Sequence, residues 1–256
     1  MSTFSVTDAQ LDVSEAGYGN VVLVMHGLTS SRANQQRLGL DVGRDLGEHH
    51  VVAYDARGHG RSSGRAVPAD YTWSALARDA LAIAAAYSPD LPVDAIGASM
   101  GAGTILHAAT TSPARFRKLV LVIPPTAWQT RAAQVETYQD GADLIEQRGL
   151  AAFVALGRDR PRPPVVADRG YQPPDFTERL APSILRGAGR SDLPSPDAIR
   201  EIPCPTLILA WDGDPGHPVA TAELLDDLLP HSTRAIATSA ADLDSWPQLV
   251  ADHLRD

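Results

Sequence analysis

Gly97-Ala98-Ser99-Met100-Gly101 sets one serine among small residues, after an apolar run at 93–96 and before a helical stretch at 100–111. A serine on a tight strand-to-helix turn presents its hydroxyl outward, and backbone N–H groups at the helix start face negative charge developing beside it. Side chains flanking such a turn would collide, and Gly97, Gly101 and Gly103 supply the room. The chemistry open to a serine so placed is nucleophilic attack on a carbonyl. The plainer alternative is a glycine-rich helix start that packs closely on a strand. His26-Gly27-Leu28-Thr29 follows another apolar run at 21–25. In a doubly wound sheet this loop lies at the same strand ends as Ser99. The N–H groups of Leu28 and Met100 are therefore candidates for binding an oxyanion. His26 reads as a loop-ordering residue rather than a base. Asp212 and Asp214 follow a third apolar run at 206–211, and a carboxylate of this kind can orient an imidazole and stabilise its cation.

The elements that must hold these residues alternate. Apolar runs at 21–25, 51–54, 93–98, 118–123 and 206–211 each end in turn chemistry, and helical patterns fall at 31–46, 71–87, 100–111 and 221–229. Runs without polar alternation suit strands buried on both faces, as in a parallel sheet. The expected fold is α/β, doubly wound and mostly parallel, with right-handed crossovers. Residues 124–202 break this rhythm with Pro-rich joints at 161–164 and 173–174 and helical pieces near 132–156 and 176–185. They read as a helical cap insertion, mobile over Ser99, in a core made of 1–123 and 203–256. Trp128 stands where that insertion begins, as a candidate to line a substrate pocket or, equally, as a packing residue.

Composition narrows the function. The 256 residues carry 22 Lys+Arg against 31 Asp+Glu, a formal charge of −9, with 44% hydrophobic and 21% charged residues. That is a globular composition, and its acidic balance disfavours nucleic acid or an anionic membrane as partner. The single cysteine, Cys204, excludes an intrachain disulfide and reads as a small buried residue between two prolines. No apolar run approaches a membrane span and no basic-then-apolar leader opens the sequence, so the cytoplasm is the expected compartment. No His–carboxylate cluster has metal spacing and no glycine-rich loop carries a phosphate-binding lysine, so no cofactor is expected. Oligomeric state leaves no signature.

The order of these features resembles the α/β-hydrolase superfamily. Asp55-Ala-Arg-Gly-His-Gly-Arg-Ser62 is similar to the Asp-x-Arg-Gly-x-Gly-x-Ser stretch of its esterase, lactonase and epoxide-hydrolase-like members. Enol-lactonase members look similar here and around Ser99. In this chain Arg57 and His59 read as braces of a tight turn. The resemblance implies that Ser99 is the nucleophile, that Asp214, the second carboxylate, is the acid, and that 124–202 is the cap. It also implies a histidine between the last strand, about 234–238, and the last helix, which begins near Pro247. Ser239-Ala-Ala-Asp-Leu-Asp-Ser-Trp246 holds none.

A base must come from elsewhere. His49, His50 and His231 precede strands, at the wrong end of a parallel sheet; His107 is two turns into the helix after Ser99, and His253 is near the chain end. Asp214-Pro215-Gly216-His217 has type II turn chemistry, Pro second and Gly third, where φ is positive. Such a turn brings Asp214 and His217 within about 7 Å at Cα. The carboxylate would then fix one ring nitrogen of His217 and leave the other for Ser99. Pro218 holds His217 extended without deciding where the ring points. The expected function is cofactor-independent hydrolysis of a small ester, lactone or thioester through an acyl-enzyme on Ser99. The alternative is a non-catalytic small-ligand binder, because the usual histidine is missing. Acyl transfer to an acceptor other than water would use the same residues.

Overall fold

The computed structural model describes residues 2–44 and 46–255. Its strands are β1 (Ser2–Val6), β2 (Ala9–Ala16), β3 (Asn20–Met25), β4 (His49–Tyr54), β5 (Val93–Ala98), β6 (Phe116–Val122), β7 (Thr206–Trp211) and β8 (Ser232–Ala237). They form one sheet in the order β1-β2-β4-β3-β5-β6-β7-β8, antiparallel at β1/β2 and β2/β4 and parallel from β4 onward. The doubly wound α/β reading holds. The antiparallel β1–β2 hairpin was not expected, because its apolar residues alternate (Phe4, Val6; Leu11, Val13) instead of running on. Alternation is the mark of a strand with one face covered.

Strand β6 shows why the uninterrupted runs are central. Leu119 and Leu121 enter one buried cluster, with Trp73, Leu76 and Ile105. Val120 and Val122 enter another on the opposite face, with Trp211, Trp246 and Val250. Successive side chains point to opposite faces, so a strand covered by helices on both sides needs apolar residues throughout. The helices flanking the sheet are α1 (Arg32–Leu38), α2 (Trp73–Tyr87), α3 (Met100–Thr111), α8 (Val219–Leu228), α9 (Ala240–Asp244) and α10 (Trp246–Leu254). Helix α1 was expected to reach residue 46. It stops at Gly39, which adopts φ +64 as a left-handed cap and donates its N–H to the Gln35 and Gln36 carbonyls.

Between β6 and β7 lie α4 (Arg131–Arg148), α5 (Leu150–Arg158), α6 (Ala181–Gly189) and α7 (Pro196–Arg200). The expected single helix over 132–156 breaks at Gly149, φ +80, and the later helix starts at Ala181 rather than near 176. Helices α4 and α6 share a small apolar cluster, including Ala142, Ile145, Leu180 and Ile184, closed by Tyr71 and, partly, by Leu28. Two backbone bonds fasten the 171–176 stretch to the site loops: Asp175 N–H donates to Thr29 O (2.9 Å) and Gly60 N–H to Asp175 O (2.7 Å). No helix of the described residues is long and apolar enough to cross a membrane.

Candidate active site

Ser99 caps α3 at φ +51, ψ −108, a backbone conformation that L-residues rarely hold. The turn is tight enough that a Cβ at Gly97 would lie 2.4 Å from the Gly101 backbone, and one at Gly101 would lie 2.6 Å from the Met25 carbonyl oxygen. This close stacking of β3, β5 and α3 is what Gly-x-Ser-x-Gly makes possible. Thr29 (φ +63) and Ile123 (φ +44) are strained in the same sense, and both border the Ser99 cavity. Such strain persists where surrounding structure over-determines it, and it gathers at working sites.

His217 Nε2 lies 2.8 Å from Ser99 Oγ, and His217 Nδ1 lies 2.7 Å from Asp214 Oδ2. The same Asp214 oxygen accepts the Trp211 indole N–H at 2.9 Å, and Oδ1 accepts the Gly216 N–H at 2.9 Å. Burial pushes the Asp214 carboxyl up, but the bonds and charge of His217, with Trp211 and Gly216, outweigh it and pull the pKa down to about 2. Asp212 is exposed and accepts from the Gly213 N–H, away from this chain of bonds.

The turn itself differs from expectation. His217 N–H donates to Asp214 O at 3.1 Å, so a β-turn closes, but Gly216 is not among the residues with positive φ; Gly213 is, at +78. The Asp214 side chain explains this. It takes the N–H two residues on, an Asx bond that favours the geometry in which Asp leads and Pro follows, with no left-handed residue in the middle. Trp211, which reads from the sequence as a packing residue at the end of a core strand, and the Gly216 amide both donate to Asp214. The signal available was position, since both flank the carboxylate at the C-terminal end of β7.

The other histidines lie elsewhere. His107 Nε2 meets the Asp192 carbonyl and His253 Nε2 the Leu119 carbonyl. His26 is held from both sides: Nδ1–H donates to Gly27 O and Nε2 accepts the Ala56 N–H, each at 2.8 Å. That arrangement and full burial keep it neutral, with its pKa lowered by burial. Asp55 gathers Arg32 and the Arg61 N–H, and Arg57 forms a two-pronged pair with Asp79 on α2, at 2.7 and 2.6 Å. The Asp55–Ser62 stretch is thus bound up in bracing the loop under Ser99. The Cys204 thiol is buried and pushed up to about 11 by that burial.

A cavity of about 210 Å3 opens beside Ser99 and His217. Leu28, Leu38, Leu40 and Ile123 give it apolar walls, and Asn34, Gln35 and Gln172 give it amides. The Leu28 N–H has no acceptor among the described residues, nor has that of Met100 at the first position of α3. Trp128, expected as a pocket residue, does not line the cavity. Its N–H donates to the Asp192 carboxylate at 2.9 Å and its indole to Pro194 O at 3.1 Å. A left-handed kink there, φ +48, accompanies these bonds to the return loop after α6, and the ring packs on the core.

A chain with this sheet order, elbow and insertion has the architecture of an α/β hydrolase, and residues 20–148 match the family model described as alpha/beta hydrolase fold. The protein belongs to that family. Among curated proteins it is similar to 3-oxoadipate enol-lactonase 2 of Acinetobacter baylyi, with 26% identity over 196 residues, 73% of this chain and 69% of that one. Among solved structures it resembles the enol-lactonase from Burkholderia xenovorans (TM-score 0.79, 17% identity, all of both chains). A thermophilic esterase from Thermogutta terrifontis is also similar (TM-score 0.76, 21% identity, 98% and 96% of the chains).

Proposed function

We propose that the protein is a serine hydrolase of small esters, lactones or thioesters, with Ser99 as nucleophile, His217 as base and Asp214 as the acid that orients it. The observation that carries this reading is the unbroken chain Ser99–His217–Asp214, at 2.8 and 2.7 Å. Ser99 Oγ attacks the substrate carbonyl as its proton passes to His217 Nε2. The oxyanion is held by the N–H groups of Leu28 and Met100, both without an acceptor among the described residues. The imidazolium, steadied by Asp214, then protonates the departing alcohol or thiol. Water repeats the sequence to release the acid and restore Ser99. The enol-lactonase and esterase likenesses agree with carboxylic-ester chemistry. Against the ligand-binding alternative, which rests on the lack of a base after β8, stands an imidazole within hydrogen-bond reach of Ser99.

An organophosphonate is expected to label one peptide, the one containing Ser99, and Ser99→Ala to abolish the adduct in mass spectrometry. His217→Ala and His217→Gln are each expected to lose roughly 10³-fold or more in kcat/KM and to erase the acid limb of the pH–rate profile. Near-wild-type turnover in both variants would remove His217 from the mechanism.

A further inference from the structure

Thr29, Gln35 and Gln172 line the Ser99 cavity with side chains that have no hydrogen-bond partner among the described residues, and Gln35 is the buried one of the three. Gln35, on α1, is 5% exposed. Its backbone is engaged: its N–H donates to Ser31 O and its carbonyl accepts from Leu40, each at 2.9 Å. Its side-chain amide has no hydrogen-bond partner among the described residues, yet it is not sealed. The sealed, unpartnered side-chain atoms are His59 Nε2 and Trp73 Nε1. Gln35 is one of the residues that line the cavity. Its neighbour Asn34 is fully engaged, donating to Pro173 O and accepting from Arg37. A buried amide without a partner is a standing cost unless a ligand satisfies it.

Charge gives a second, independent constraint. Apart from His217, no residue lining the cavity is ionisable. The arginines on or near α1 are engaged: Arg32 with Asp12 and Asp55, Arg37 with Asn34, Arg169 with the Leu38 carbonyl and Asp244. A carboxylate drawn in here would lose its water and meet no cation. The space, about 210 Å3, equals about seven water-sized volumes at ~30 Å3 each.

Resting on the serine-hydrolase reading, we propose that Gln35 determines specificity: it hydrogen-bonds a neutral carbonyl or hydroxyl on a short acyl chain, and the site rejects acyl chains ending in a carboxylate. An amide offers both a donor and an acceptor, so either neutral group satisfies it.

The test compares p-nitrophenyl pentanoate, 4-oxopentanoate and half-glutarate, each corrected for its uncatalysed rate, on wild type, Ser99→Ala, Gln35→Leu and Gln35→Lys. Wild type is expected to favour 4-oxopentanoate over pentanoate about tenfold or more in kcat/KM and to turn over half-glutarate slowest. Gln35→Leu is expected to cut the 4-oxopentanoate to pentanoate ratio about tenfold, mainly through KM. Gln35→Lys is expected to raise the half-glutarate to pentanoate ratio by a similar factor. A purely structural role would slow all three esters together and leave the ratios alone, and that result overturns the inference. Ser99-dependent turnover with unchanged ratios also overturns it and leaves the hydrolase reading standing. No Ser99-dependent turnover of any ester overturns both.

Discussion

Asp214 takes hydrogen bonds from His217, Trp211 and Gly216, and this explains a carboxyl that stays ionised down to about pH 2 although it is largely buried. A charged acceptor gains about 1.5–3 kcal/mol per donor. Trp211→Phe removes one donor while keeping the ring that stacks on Trp246, 6.2 Å away at 16°. It is expected to lower kcat/KM about tenfold, since one decade is about 1.4 kcal/mol. The pH profile carries the sign. Asp214 takes its proton only near pH 2, so wild type is expected to show no step from this carboxyl down to pH 4. In Trp211→Phe the Asp214 carboxyl, with one donor fewer, should take its proton at a higher pH than in wild type, seen as a steeper acid limb in rapid-mixing assays. The nearness of Asp214 and His217 was legible in the Pro-Gly spacing between them. The class of turn was not, because a side-chain bond from Asp214 to the Gly216 N–H decided it, and propensity describes only the backbone.

Elements were legible where a run of one period lasts. Strands β5 and β7 and helix α3 stand at the expected bounds. The β1–β2 hairpin was missed because a search for uninterrupted apolar runs overlooks alternation, and α1 was overextended past Gly39, whose left-handed cap stops it. The insertion was the least legible, since its helices are set by packing of α4 on α6 and by Gly149 rather than by long periodic runs. Its joint after α5 exposes Asp159, Arg160, Pro161 and Arg162. Exposed joints nick first, so brief subtilisin digestion is expected to cut at 158–163, and a phosphonate on Ser99 to slow that cut if the insertion closes over the site. First cuts within 93–123 would contradict the division into core and cap.

For the molecule as a whole, acid sensitivity follows from histidines whose pKa burial lowers: His26 and His59, fully enclosed, and to a lesser depth His253. Burial lowers the pKa of both His26 and His59, and His59 falls to about 3. Their rings lie 5.2 Å apart, and His59 also packs edge-on against Phe176 of the insertion at 5.9 Å. The unfolded chain protonates both near pH 6.5, so below that pH it binds more protons than the native state. Stability is therefore complete above about pH 6.5 and is lost as pH falls toward 3. Urea unfolding between pH 7.5 and 5 is expected to weaken by up to roughly 1.4 kcal/mol per pH unit for each histidine. His59→Phe should flatten that slope by about one proton, and a flat wild-type curve would contradict the account. The turn after β7 carries a different kind of consequence. The proposed acid and base, Asp214 and His217, sit three residues apart on one stretch of backbone, so a single turn fixes their mutual geometry. A change in how the chain enters that turn would move both together, whereas the segment at 239–245, which holds no histidine, has no part in the proposed relay. Ser239 and Asp242 cap the short helix there, and its hydrogen bonds close on themselves.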